Sequence, residues 1–323
     1  MDLQDIIKLI DDAKNIAIMS HISMDGDAIG SSLGLMLALR KNGKHVTTYI
    51  EEDIPDRFEF FRDKAGIEYY DDDTNFSRHD TLIVVDVADE ELLGKRVRAL
   101  NEISNVIAID HHAIRYAYSK NLYVNKDAAA AGEIIYDLIC SMNIEIDKDI
   151  ATCLYVAIST DTGRFKFSNT TKNTHMIAGE LLSYGVDSNM LTNKLFDEST
   201  KERTRLIGKA IETLETFCDD KIAVMCVTRD MLEEVLAKES DEDGIIDFVI
   251  NIKGVEVGIL IKEKQNGILR ASLRSKSYVD VSKIANEFGG GGHKMASGCT
   301  FYGDIIEFKS KLIDYARREI KIK

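Results

Sequence analysis

The chain has 323 residues, enough for two ordinary domains, and its 45% apolar and 30% charged composition fits a soluble globular protein. A formal net charge of −14 disfavours tracking along nucleic acid, where clustered Lys and Arg must neutralise many phosphates, but it permits a small anionic substrate if bound cations reverse the local sign. No apolar run approaches the roughly 20 residues that cross a bilayer, and the acidic N-terminus lacks a secretory leader's basic start. The five cysteines form no CxxC pair and point to buried, reduced thiols in a cytoplasmic setting.

In chain order, Leu3, Ile6, Ile7 and Ile10 follow helical spacing, and 15–20 (NIAIMS) reads as a buried strand. A helix is expected from about Asp27, closed by Gly43. Strand-like runs follow at 45–50, 81–87 and 105–110, with helical patterns over 128–143 and from 148 to about 160. This alternation predicts an α/β fold, a doubly wound and mostly parallel sheet with helices on both faces. After about Gly185 the pattern changes to α+β. It has a helical region over 190–217, a strand at 221–228, a further helix, and β-rich runs around 247–262 and 267–275. A glycine cluster at 289–292 and an amphipathic helix over 305–321 complete the chain. The expected division is a catalytic domain over 1–187, a helical linker over 188–214 and a smaller α+β domain over 215–323.

Three strand ends in the first half carry ligand-type residues. His21, Asp25 and Asp27 follow the first strand and precede a helix, at the carboxyl edge where open α/β sheets bind ligands. Gly26 between the two aspartates would permit a tight backbone path. Asp86 closes one apolar run, where a lone carboxylate is costly to bury unless paired or bound to metal, and Asp110, His111 and His112 close another. Asp161, in STDTGRF, follows a helix. Each residue taken alone is equally an ordinary cap or turn residue, Asp27 as an N-cap among them. Together they offer the imidazole and carboxylate donors that suit divalent metals.

These motifs, HISMDGDAIGS, VVDVAD, DHH and STDTGRF in this order, resemble the DHH phosphoesterase superfamily, and RASLRS with GGGGHKMASG is similar to its DHHA1 domain. The resemblance spans almost the whole chain and points to the small two-domain branch, which includes nano-RNases, pAp phosphatases and enzymes of cyclic-dinucleotide breakdown. Met24 stands where many relatives have proline. The resemblance implies two metal ions, typically manganese. His21 and Asp25 would hold one, Asp27, His111 and Asp161 the other, and Asp86 would bridge both. His112 would contact the phosphate or protonate the leaving oxygen, with Asp110 orienting a histidine.

On the substrate side, the resemblance implies contacts from Arg274, Ser275, Gly290, Gly291, Gly292 and His293 to a phosphate or nucleotide end. Arg270 and Arg274 have the even separation that places both on one face of a strand. Arg164 is a further phosphate candidate, while His45, His79 and His175 read as surface or structural residues. The expected activity is hydrolysis of short oligoribonucleotides and of pAp to AMP. The alternatives are a cyclic di-AMP or pApA phosphodiesterase and a non-catalytic nucleotide sensor. Expected partners are small nucleotides, with neither long nucleic acid nor membrane, and a homodimer is compatible with the resemblance. GGGGH argues against the inorganic pyrophosphatases, whose second domain differs.

Overall fold

A computed structural model describes residues 1–112 and 117–320. The chain divides into two compact units, Met1–Glu198 and Ser199–Lys323. The first opens with α1 (Leu3–Asp12), β1 (Asn15–Met19), α2 (Gly26–Lys41), β2 (His45–Ile50), β3 (Ile67–Tyr69) and β4 (Thr81–Val85). It continues with α3 (Ala99–Glu102), β5 (Asn105–Asp110), β6 (Asn121–Val124), α4 (Ala131–Ser141), α5 (Lys148–Asp161), α6 (Lys172–Ser183) and α7 (Ser188–Thr192). Its six strands are ordered β3-β2-β1-β4-β5-β6, and all five pairings are parallel. This is the doubly wound sheet expected from the alternation of elements.

Because side chains alternate across a strand, β1 turns Ile16 and Ile18 to one face and Ala17 and Met19 to the other. The first face packs Ile83, Val85, Ile107 and Ile109 under α1, α2, α4, α5 and α6. The second packs Leu82 and Val84 under Phe76, Leu93, Ala99 and Ile103, from short helical turns and α3. Each buried Leu or Ile contributes roughly 1.5–3 kcal/mol.

Helices α2 and α5 run antiparallel and approach closely through three glycines spaced one turn apart. A Cβ on Gly26 would lie 2.2 Å from Thr160 Oγ1, one on Gly30 2.4 Å from Cys153 O, and one on Gly34 2.9 Å from Leu154 Cδ2. Gly26 lies in the first turn of α2, so its role is this close approach to Thr160, in place of the tight backbone path expected from its position between two aspartates.

The second unit contains α8 (Lys201–Glu212), β7 (Glu215–Phe217), β8 (Ile222–Val227), α9 (Arg229–Val235), α10 (Ile245–Ile250) and β9 (Val257–Glu263). Then come β10 (Ile268–Ser275), α11 (Val281–Asn286), β11 (Gly291–His293), β12 (Ala296–Tyr302) and α12 (Ile305–Glu319). The sheet order is β11-β12-β10-β9-β8-β7, mixed, with only β8–β9 parallel among its pairings. Helices α8, α9 and α10 cover one face, and α11 and α12 the other.

Several boundaries differ from the sequence reading. The β-rich run placed around 247–262 begins as helix α10, because Ile245, Ile246 and Val249 bury one helical stripe after Gly244 turns the chain with φ 76°. The helical region expected over 190–217 ends at Glu212, and Glu215–Phe217 pairs as a strand with β8. Helix α4 begins at Ala131, three residues later than expected. Residue 321, at the end of the last expected helix, lies outside the described residues.

Gly30→Ala should destabilise the protein by roughly 1–3 kcal/mol, because the added methyl meets the backbone of α5. Gly208→Ala, exposed on α8 with nothing within 4 Å of its Cβ, should instead stabilise by about 0.5–1 kcal/mol. Denaturant unfolding of both variants checks the contrast, and equal effects would contradict the packing account.

Candidate metal centre

The carboxyl ends of β1, β4 and β5, the first turn of α2 and the last residue of α5 converge on one cluster. Strand β4 stops at Val85 because Asp86 takes the left-handed conformation, φ 61°, while its amide donates to Ile109 O (3.0 Å). Aspartate tolerates this backbone better than most residues. The turn leaves Asp86 only 4% exposed and divides its two oxygens between neighbours. Oδ2 lies 3.7 Å from His21 Nε2, which is also 3.7 Å from Asp25 Oδ1. Oδ1 lies 3.6 Å from His111 Nε2, which is 3.7 Å from Asp27 Oδ2 and 3.8 Å from Asp161 Oδ2.

The protein fixes each donor from behind. Asp25 caps α2, its Oδ1 accepting from the Ala28 amide at 2.9 Å, so the N-cap is Asp25 and Asp27 sits two residues on, within the first turn. Asp27 is buried, and its two oxygens accept from the Ala131 and Gly132 amides at 2.6 and 2.9 Å. Helix α4 has no side-chain cap of its own at Ala130, so Asp27 meets those unpaired amides from another helix. His21 Nδ1 donates to Ile22 O (2.6 Å) and His111 Nδ1 to Ala128 O (3.3 Å). A carbonyl only accepts, so both rings hold a proton on Nδ1 and turn a lone pair at Nε2 toward the cluster.

Chemically, the donor set fits divalent cations. His111 Nε2 and Asp86 Oδ1 are buried without a hydrogen-bond partner, and their separation exceeds hydrogen-bond range. It suits two atoms that each stand about 2.0–2.2 Å from a shared ion. Three sets of donor atoms gather closely enough: His21, Asp25 and Asp86; Asp27, His111 and Asp161; and Asp86, Asp110, His111 and His112. Among the described residues no Lys or Arg forms an ion pair with Asp25, Asp27, Asp86 or Asp161. Burial, with Asp86, Asp161 and Asp25 close by, raises the Asp27 carboxyl well above the usual range. Burial likewise pushes Asp161 up to about 6, aided by Asp25 and Asp86. Such a cluster is stabilised by added positive charge.

Asp110 is buried, and its Oδ1 accepts from the His112 amide (2.8 Å) and from His112 Nδ1 (2.9 Å). The bond to Asp110, with the Asp86 carboxylate 3.4 Å away, pushes His112 up to about 10, so the half-exposed ring is cationic at neutral pH when only protein groups surround it. Arg164 is engaged elsewhere, pairing with Asp197 (2.5 Å) and stacking on Phe196. His79 bonds Tyr49, His175 stacks on Phe165, and His45 is exposed.

In the second unit Arg270 and Arg274 share one face of β10. Ser275 is buried on the other face and donates its hydroxyl to Glu256 Oε1 (3.1 Å), away from the side expected to meet substrate. Glu256 also accepts from Ser277 Oγ and from the amides of Ser277, Tyr278 and Val279, which anchors the turn after β10. Of the four glycines, Gly289 and Gly292 take positive φ, 68° and 138°, and Gly291–His293 forms the edge strand against Ala296–Gly298, with His293 exposed.

Two residues escaped the sequence reading. Arg96 is fully buried, and Nη1 donates to Tyr49 O (2.7 Å) and Nη2 to Ser20 O (2.9 Å), tying β2 to the residue before His21. Arg57 lines a recess of about 140 Å³ with Asp25, Thr160 and Asp161. The missing cap in the run before α4 was the one available sign of the Asp27 contact; nothing local marks Arg57.

A family model described as DHH family, N-terminal domain, matches residues 15–158, and one described as DHHA1 domain matches 219–321. A bifunctional oligoribonuclease and PAP phosphatase from Thermus thermophilus is 33% identical over 307 residues, 94% of this chain and 90% of that protein. The protein of the same description from Bacillus subtilis is 28% identical, covering 92% and 93%. The crystal structure of an exopolyphosphatase-related protein from Bacteroides fragilis superposes with a TM-score of 0.89 at 27% identity, over 98% and 96% of the two chains.

Divalent cations should bind more tightly as pH rises. Below about pH 6 a proton sits on Asp161, and Asp27 is also raised, so binding must displace protons. Affinity should climb about tenfold per pH unit for each proton displaced and flatten above the carboxyl range. Calorimetric titration in buffers of different ionisation enthalpy counts the protons, and a constant affinity between about pH 5 and 7 would contradict the assignment.

Proposed function

Because the chain belongs to the DHH family of phosphoesterases and carries a DHHA1 domain, we propose that it hydrolyses short oligoribonucleotides and converts pAp to AMP with two divalent cations, manganese by preference. The observation that carries the two-cation reading is Asp86, buried with one oxygen toward each histidine–aspartate set. His21, Asp25 and Asp86 would hold one cation, and Asp27, Asp86, His111 and Asp161 the other. Bound there, the pair supplies Lewis acidity at phosphoryl oxygens and lowers the pKa of an attacking water.

The chain's own groups do the rest. The α4 amides and the two backbone carbonyls hold Asp27, His21 and His111 in position, so no reorganisation accompanies the reaction. Asp110 occupies His112 Nδ1 and leaves Nε2 to donate to the phosphate or to the leaving oxygen. Nearby cations would bring this ring down from about 10 toward the neutral range, where proton transfer in both directions is efficient. Residues 1–187 carry the chemistry in this reading. Arg274, Gly290, Gly291, Gly292 and His293, within 215–323, bind the phosphate end of the nucleotide, while Ser275 braces the end of the Arg274 strand.

A hydrolysis panel with manganese, containing pAp, pApA, cyclic di-AMP and RNA oligomers of graded length, tests the substrate. Turnover confined to pAp and the shortest oligomers supports the proposal, preference for cyclic di-AMP or pApA moves it to nucleotide-signal breakdown, and silence across the panel rejects it. Asp86→Asn should lower kcat by roughly a thousandfold or more while thermal unfolding still shows a folded protein. Near-normal turnover would exclude a shared ligand at this position.

A further inference from the structure

At the amino ends of β1 and β2, opposite the edge that bears Asp86 and His111, Arg40, Lys44, His45, Arg78 and His79 line a cavity of about 550 Å³. Its wall carries no carboxylate among the described residues, in a chain whose net charge is −14. Arg40 and Lys44 are held by neutral groups. Arg40 Nε donates to Val46 O (2.8 Å) and Nη1 to Ala65 O (2.6 Å), with its guanidinium against Gly66, where a Cβ would lie 2.3 Å from Cζ. Lys44 Nζ donates to Asp11 O (2.5 Å) and Ala13 O (2.7 Å). Among the described residues neither forms an ion pair, and each retains N–H groups beyond those already engaged. The nearby acids are occupied: Glu68 pairs with Arg78, and Asp80 accepts from the Lys14 and Asn15 amides.

His79 adds an unmet donor. Arg78 can only donate, so Tyr49 Oη accepts from it and gives its own proton to His79 Nε2 (3.0 Å). The ring proton then sits on Nδ1, which is buried and has no hydrogen-bond partner. Guanidinium, ammonium and imidazole N–H donors around one cavity suit an oxyanion with several acceptor oxygens. The volume exceeds that of bare phosphate and lies within the range of small-ligand pockets.

We propose that this cavity at the amino end of the sheet binds a small phosphate-bearing anion, at a second site remote from the carboxylate cluster. The test is titration of magnesium-saturated protein with inorganic phosphate and, separately, with AMP, followed by the imidazole NMR signals of His45 and His79. These report the cavity independently of His21 and His111. Both rings should shift saturably with at least one anion. Lys44→Gln should weaken that binding roughly tenfold, as expected for loss of a charge-assisted hydrogen bond. Arg78→Gln should do the same, and Lys209→Gln, the same charge change in the second unit, should have no effect. Tighter binding of AMP would identify a nucleotide ligand; equal binding would mean that the phosphate group suffices. Unmoved His45 and His79 signals up to about 10 mM of both anions, or equal affinities in wild type and Lys44→Gln, would overturn the proposal.

Discussion

The close approach of α2 to α5 is the constraint on which the rest of the first unit depends. Helix axes normally stand 8–10 Å apart, at a distance set by the side chains between them. Here Gly26, Gly30 and Gly34 remove those side chains along one stripe. The start of α2, with Asp25 and Asp27, thereby comes beside the end of α5, with Asp161. With Asp86, four carboxylates then face a common centre with no Lys or Arg in ion-pair contact among the described residues, an arrangement that costs stability unless cations offset it. Packing forces the repulsion, and the repulsion makes the site one that could hold metal ions.

Each of several candidate ligands has a support behind it. Asp27 rests on helix amides, His21 and His111 on carbonyls, His112 on Asp110, and the strand leading to His21 on buried Arg96. Burial lowers the Arg96 pKa to about 10, so it remains a cation at neutral pH and ties β1 to β2. In the second unit Glu256 has a similar part, gathering Ser275, Ser277 and the following amides around one carboxylate.

Legibility in the sequence followed the range of the interactions. The parallel strands declared themselves as short apolar runs, and the candidate ligands stood at the ends of those runs, so His21, Asp86 and His111 could be placed on one sheet edge before any geometry was known. Helix α10 was misread because IIDFVI is too short to separate a buried helix from a strand, and only its packing against the sheet decides. Ser275 was expected at the substrate beside Arg274, whereas strand parity puts it on the opposite face, bonded to Glu256 nineteen positions earlier. Arg57, Arg96 and the Asp27–α4 contact depend on residues distant in sequence, and no local pattern encodes them.

The contact between Asp27 and α4 has a consequence beyond catalysis. The same carboxylate serves as a candidate ligand and as the missing cap of a helix that supplies much of the core. A descendant of this protein that had abandoned its chemistry would lose nothing by drifting at His112, but replacing Asp27 would strip the α4 amides of their acceptor. An aspartate at this position is therefore poor evidence that a distant homologue is still an enzyme, whereas the state of His112 would be far more telling.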